Sequence, residues 1–302
     1  MATDYRTADA YYINSDVRWQ AYVQNFEACL LASTGMVVAS DTGQLNPATT
    51  TRPASGLPGA GFRMYRFDDA AQTTFPIFLR VDFVVATGQI FAMPTVRVST
   101  QTDGAGAMTG TRLSTSTSLD VNTAGGTVGA TRHFWASGGP GRLAFVTGDP
   151  SDTRGCCCII VERMRKLDGS ASSSGVFYLF GYGQVPSSIG ARMGVIPHTS
   201  YGVNVMEIVQ GAGAQGQPNA GASLSRAAAG NALCLVPYLM PMAPDWLSIM
   251  GLLGAPSGVT VHGGVINTEW MGASRAYMPL NNNLIPASLM DPSNLQGCIL
   301  WE

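Results

Sequence analysis

The chain has 302 residues, 46% of them hydrophobic and only 12% charged, with a net charge of -2 at neutral pH. That length suits one large β domain or two smaller ones, at about 100 to 200 residues per domain, and the charged share is about half that of an ordinary globular domain. The absence of a basic run argues against nucleic acid as a partner, and no apolar segment reaches the roughly 18 residues of a membrane span, which argues against membrane insertion.

A monomer usually keeps itself in solution with interspersed charges. A charge-poor chain rich in Gly and Thr therefore points to an outside covered by neighbours, the alternative being a neutral surface of Ser, Thr, Asn and Gln. The opening MATDYRTADAYYINSD has neither the positive nor the apolar region of a leader, so synthesis and folding in the cytoplasm are expected. Six cysteines, three of them consecutive at Cys156, Cys157 and Cys158, lack the paired spacing of a zinc site and the density of a secreted disulfide framework. They read as reduced packing residues.

In chain order, Trp19, Tyr22, Val23, Phe26, Cys29 and Leu30 recur every three or four residues and predict one face of a helix from about Asp16 to Ser33. Ser15 suits its N-cap, Asp16 its positive end, and Gly35 the left-handed residue after its C-terminus. The aromatic stripe needs an apolar surface to cover, most simply a sheet. Met36 to Ala39 predicts a short strand, and Ser40 to Ala60 an extended loop with Pro47, Pro53 and Pro58 holding it out of the helical region. That loop is longer than ordinary connections, which makes it a candidate contact arm.

From Phe62 the period becomes two. Ile77, Leu79, Val81, Phe83 and Val85 mark a core face, and strands are expected near Phe62 to Phe67, Pro76 to Thr87 and Thr95 to Thr102. The segment Asp103 to Thr131 is a loop or a β-ribbon supported by neighbours. Apolar runs at His133 to Trp135, Leu143 to Thr147, Cys156 to Arg163 and Val176 to Tyr182 follow, punctuated by turns such as GGPG at 138–141. Val203 to Val209, Ala232 to Tyr238, Trp246 to Met250, Val259 to Val261 and the closing CILWE continue in the same style. The expected fold is mainly β, with antiparallel β-sandwich-like lobes and one N-terminal amphipathic helix packed on a sheet. Residues 1–185 would form the first lobe and 186–302 a second, or a continuation of the same sandwich.

No reading of the motifs yields catalysis, a cofactor or a metal site. Asp41-Thr42-Gly43 after a strand has the form of an aspartic-protease triplet, but a second triplet is missing and Asp-Thr-Gly is ordinary turn chemistry. Gly211 to Gly216 fits G-x-G-x-x-G, yet Pro218 and Gly221 interrupt any crossover helix. His133, His198 and His262 are scattered, and Asp149, Asp152, Glu162 and Asp168 form the nearest approach to a carboxylate cluster, in a region of hairpin turns.

The block running from FEACLLASTGMVVAS through DTGQLNPATTTRP, GFRMYRFDD and TTFPIFLRVDF, then the DGAGAMTG turn, CCCIIVERMRKLDGS and the terminal CILWE, resembles a family of virion structural proteins of tailed bacteriophages. The resemblance implies a non-enzymatic part of the tail, baseplate or fibre region, located in the virion, with copies of itself and other virion proteins as partners. On that reading Asp41, Gln44, Asn46, Arg52 and Pro53 are candidate assembly contacts, together with the 103–131 segment. A host-surface glycan binder or depolymerase is the alternative, with Trp135, Trp246 and Trp270 as an aromatic platform and a host receptor as partner. A capsid decoration protein is a third reading with the same chemistry as the first.

Overall fold

The computed structural model describes residues 2–9, 13–54, 59–85, 92–114, 116–119, 131–148, 156–166, 171–182, 191–197, 206–209, 236–242, 245–256, 265–270, 273–279 and 295–302. It is mainly β, built from two antiparallel sheets and one α-helix, as the alternating pattern predicts.

Helix α1 spans Asp16–Ala32, with the Ser15 side chain accepting from the Arg18 N–H at its start. All six residues of the predicted stripe are fully buried. Its end differs from expectation by one residue. Thr34, not Gly35, takes the left-handed conformation, at φ 58°, and its N–H bonds the Leu31 carbonyl. Gly35 is needed for another reason: a Cβ there would lie 2.0 Å from the Arg142 carbonyl oxygen, so the chain leaving the helix runs against the larger sheet.

The smaller sheet comprises β2 (Met36–Val38), β3 (Gly61–Phe67), β4 (Phe78–Phe83), β5 (Thr95–Thr102), β6 (Met108–Leu113) and β7 (Thr117–Ser118), with the first five in sequence order and β7 pairing β5. Ile77, Leu79, Val81, Phe83 and Val85 form its buried face. The 103–131 segment begins as a hairpin between β5 and β6; residues 120–130 lie outside the described set.

The larger sheet opens with a strand that periodicity alone does not reveal, β1 (Ala2–Asp9), paired residue for residue with β8 (Thr131–Gly139). It continues through β9 (Arg142–Gly148) and β10 (Cys156–Lys166) to β11 (Ala171–Tyr182), β12 (Ala191–Pro197) and β13 (Met206–Val209). The far end of β10 also pairs with β15 (Asp245–Pro256), which carries β14 (Val236–Met242) and leads to β18 (Leu295–Leu300), β17 (Ala273–Pro279) and β16 (Ile266–Trp270). Strands from both sides of residue 185 thus share one sheet. The GGPG segment makes the expected tight turn from β8 to β9, with Pro140 and Gly141 at its tip and Gly141 at φ 70°. The expected strand at Val259 to Val261 lies outside the described residues.

Alternation on β8 to β10 sends Phe134, Ala136, Leu143, Phe145, Ile159 and Val161 toward α1. Phe26 lies 4.4 Å between centroids from Phe145 and 5.3 Å from Phe83 of β4, so the helix touches both sheets and not one. The opposite face of β8 to β10 is buried too. There Arg142 stands across from Glu162 in register and donates to the Leu300 carbonyl at 3.2 Å, which places β18 over that face.

Candidate functional site

The Asp41 to Pro53 run begins shortly after β2, beyond Ala39 and Ser40, and side chains within it, not regular structure, set its path. Gln44 is the main fastener: its Nε2 donates to the carbonyls of Ala39 at 2.7 Å and Asp41 at 2.9 Å, while its Oε1 accepts from the Met64 N–H at 2.8 Å. Asn46 organises the next turn, its Oδ1 accepting from the Ala48 N–H and its carbonyl from Thr49 and Thr50. The Arg52 N–H donates to Asp16 Oδ1 at 2.7 Å, and Thr50 receives both the Trp19 indole N–H and the Gln20 amide. Pro53 follows, half-buried, and Asp41 itself is buried. The run is therefore stapled along α1 and β3, and its exposed residues include Thr42, Gly43, Ala48, Thr49 and Thr51.

The second segment expected to make contacts reaches the same place. Thr42 donates from its N–H to the Gly104 carbonyl at 2.8 Å. Asp103 Oδ1 accepts from the N–H groups of Ala105 and Ala107, folding the β5–β6 turn tightly. Arg80 anchors that turn from below: it donates to the Gly106 carbonyl, pairs with Asp82, and lies 4.5 Å over the Phe62 ring. The result is one exposed crest, Thr42 and Gly43 beside Asp103 to Ala105, assembled from two loops whose bonded residues, Thr42 and Gly104, are 62 apart in sequence. Sequence patterning marks each loop but not their meeting, because the Thr42–Gly104 bond depends on the order of strands in the sheet.

On the helix-facing side of β3, Glu27 on α1 receives the Arg63 guanidinium in two hydrogen bonds and the Tyr65 hydroxyl at 3.0 Å. Burial pulls the Arg63 guanidinium down, but the bonds and charge of Glu27 outweigh it and hold its pKa above the usual value. Burial, reinforced by the Glu27 charge, keeps the Tyr65 phenol protonated well above its usual range. Burial also pushes the Cys29 thiol up to about 12. Such a thiol is a packing group and a weak nucleophile at neutral pH.

Trp135 lies in another place, on β8 opposite Tyr5 of β1. Its ring is stacked with that of His133 at 5.5 Å, Tyr5 leans over both at 5.7 Å, and the Tyr5 hydroxyl bonds His133 Nδ1. Trp135 is 8% exposed and Tyr5 50%, so Tyr5 offers the open ring of this cluster. Trp246 and Trp270 have backbones in β15 and β16, with side chains outside the described residues. Of the carboxylates considered as a cluster, Glu162 is buried in mid-strand, across from Arg142; Asp149, Asp152 and Asp168 lie outside the described set, as do His198, His262 and the Gly211 to Gly216 loop. Among the described residues no three His, Cys, Asp or Glu side chains gather as a metal site would require.

No family model and no curated protein matches the chain.

Proposed function

We propose that the protein is a non-enzymatic structural component of a tailed-bacteriophage virion, in the tail, baseplate or fibre assembly, acting through contacts with copies of itself and with neighbouring virion proteins. The observation that carries this reading is how few charges the chain has, 12% of its residues. The chain has 17 basic and 19 acidic residues, and of these Asp41, Arg132, Arg142, Glu162 and Arg163 are buried. Glu27, Arg63 and Asp69 are nearly so, with side-chain exposures of 13%, 14% and 10%. Arg163 holds Asp69 in two hydrogen bonds and the Phe75 carbonyl in a third, joining β10 to the smaller sheet. These charges serve pairs inside the fold, and a chain with so few charges suits a surface that meets protein, since charged residues are depleted at the cores of interfaces. The resemblance of the FEACLL to VDF block to virion proteins supplies the setting, and the stapled crest, with Asp103 as its one charge, supplies a shaped contact surface.

Sedimentation of the recombinant chain, with mass spectrometry and negative-stain imaging of purified virions, tests this. Oligomers in solution and the chain in the particle are expected; a stable monomer absent from particles overturns the reading. A host-glycan role rests on the Tyr5, His133 and Trp135 cluster, and predicts binding on a glycan array that Tyr5→Ala abolishes.

A further inference from the structure

Strand β1 reads Ala2-Thr3-Asp4-Tyr5-Arg6-Thr7-Ala8, which is a palindrome about Tyr5 except at one pair, and that pair is Asp4 and Arg6. In an antiparallel register that sets Tyr5 against itself, Ala2 meets Ala8, Thr3 meets Thr7 and Asp4 meets Arg6, each twice by symmetry. Thr–Thr, aromatic–aromatic and opposite-charge pairs are the cross-strand combinations that stabilise neighbouring strands. The same relation, in which residue i meets j and j meets i, defines a two-fold interface.

The position of β1 fits this use. It ends the larger sheet, and among the described residues its pairing is with β8 alone. Eight residues long, without Lys, Pro or a bulge, it lacks most of the devices that blunt a sheet edge. The one device it has is charge on its helix side, where Asp4 and Arg6 pair with each other at 2.6 Å. Those are the charges that a second copy in the palindromic register would match.

Helix α1 points to the same occupant. Tyr22 and Phe26 face the larger sheet, Glu27 faces β3, and Cys29 donates to the Asp4 carbonyl beside β1. At 100° per residue, the next flank round from Cys29, on the side away from β8, holds Arg18, Asn25, Ala32, Ala21 and Ala28. Strands joined edge to edge lie ~4.8 Å apart, so two helices seated over adjacent β1 strands must approach near the lower end of the ~8–10 Å that packed helices keep. Ala21, Ala28 and Ala32 permit that approach along most of the flank, with Arg18 at its N-terminal end.

We infer that two copies of this chain join through β1, antiparallel about a two-fold axis at Tyr5, into one continuous sheet with the two α1 helices side by side. The inference rests on the homo-oligomeric part of the function proposed above, and it names the surface. The test is sedimentation of full-length Asp4→Arg, full-length Arg6→Asp, and their mixture. Each single variant places like charges opposite one another twice per dimer and is expected to weaken self-association by about tenfold or more. Mixing the two variants sets the pair of arginines in one chain against the pair of aspartates in the other and restores the dimer, although the Asp4–Arg6 contact within each chain stays broken. A role confined to folding of β1 cannot produce that rescue. Tyr5→Cys gives a second measurement, since the register brings the two introduced thiols together and predicts a disulfide-linked dimer under mild oxidation, whereas Cys29 and Cys158 are buried. Oligomers that both single variants leave unchanged, or a mixture that stays dissociated, would overturn this interface while the broader assembly reading stands. A monomeric wild-type chain overturns this interface, and one that is also absent from particles overturns both.

Discussion

The seam beneath α1 and the crest of the two loops are held by different forces. In the seam, Tyr22, Phe26, Phe83, Phe134 and Phe145 meet at ring-centroid distances of 4.4 to 6.2 Å and are excluded from water. In the crest, Gln44, Asn46 and Asp103 hold irregular backbone through side-chain hydrogen bonds, while Thr42, Gly43 and Ala105 stand exposed. Apolar burial fixes where the helix sits; polar side chains fix the shape of a surface without covering it. The difference separates residues whose loss unfolds the protein from residues whose loss only reshapes its outside.

The largest effect is expected at the point that touches both sheets. Phe26→Ala leaves a cavity bounded by Phe83, Phe134 and Phe145 and should destabilise the fold by about 4 kcal/mol, measured by urea denaturation. A loss below about 1 kcal/mol would mean that the two sheets hold together without the helix. Glu27→Ala comes next, at about 3 kcal/mol, because it strands a nearly buried guanidinium and a buried phenol together. Replacing Glu27 and Arg63 together by Leu and Met should recover part of that loss, since no unpaired charge remains. Gln44→Ala tests the base of the crest. It removes three hydrogen bonds and leaves the Met64 N–H without its acceptor, so about 2 kcal/mol is expected.

Alkaline pH probes the seam without changing its shape. The Cys29 thiol is raised from 9.0 to about 12 in the folded state by burial, with the Asp4 charge adding to it. Its contribution is complete below pH 9, where both states hold the proton. Between pH 9 and about 12 the unfolded chain ionises first, and stability falls with rising pH at up to about 1.4 kcal/mol per unit. Tyr65 acts in the same sense. Cys29→Ala should flatten this alkaline limb while Tyr65 keeps it from vanishing, as read from urea midpoints between pH 8 and 11.

What could be read in the sequence follows the same division. The stripe from Trp19 to Leu30 and the alternation from Ile77 to Val85 are visible because apolar burial imposes a period on the chain, and the Pro140–Gly141 turn because its conformation selects those residues. Strand β1 is missed because its inward positions are Asp4, Arg6 and Ala8, which carry no apolar period. The Gly35 position is correct in importance and wrong in cause: the constraint is the approach of the Arg142 carbonyl, a contact across more than 100 residues. The crest is invisible for a related reason. Its two halves are each recognisable as loops, but the bond from Thr42 to Gly104 and the three bonds of Gln44 depend on which strands end side by side.

Ala105→Arg should be the mildest change to the fold and the sharpest test of the crest. Ala105 is exposed, its side chain makes no part of the turn, and the bond from its N–H to Asp103 Oδ1 survives any substitution that keeps the backbone. Stability should stay within about 0.5 kcal/mol of wild type. If the crest is where the chain meets a neighbour, a bulky cation added there beside Asp103 must be desolvated or must push the neighbour away, and incorporation into purified particles falls while the melting temperature does not move. The β1 dimer, on another surface, is unaffected by the same substitution. Normal incorporation with unchanged stability would make the crest a free loop, and its hydrogen bonds a device of folding alone.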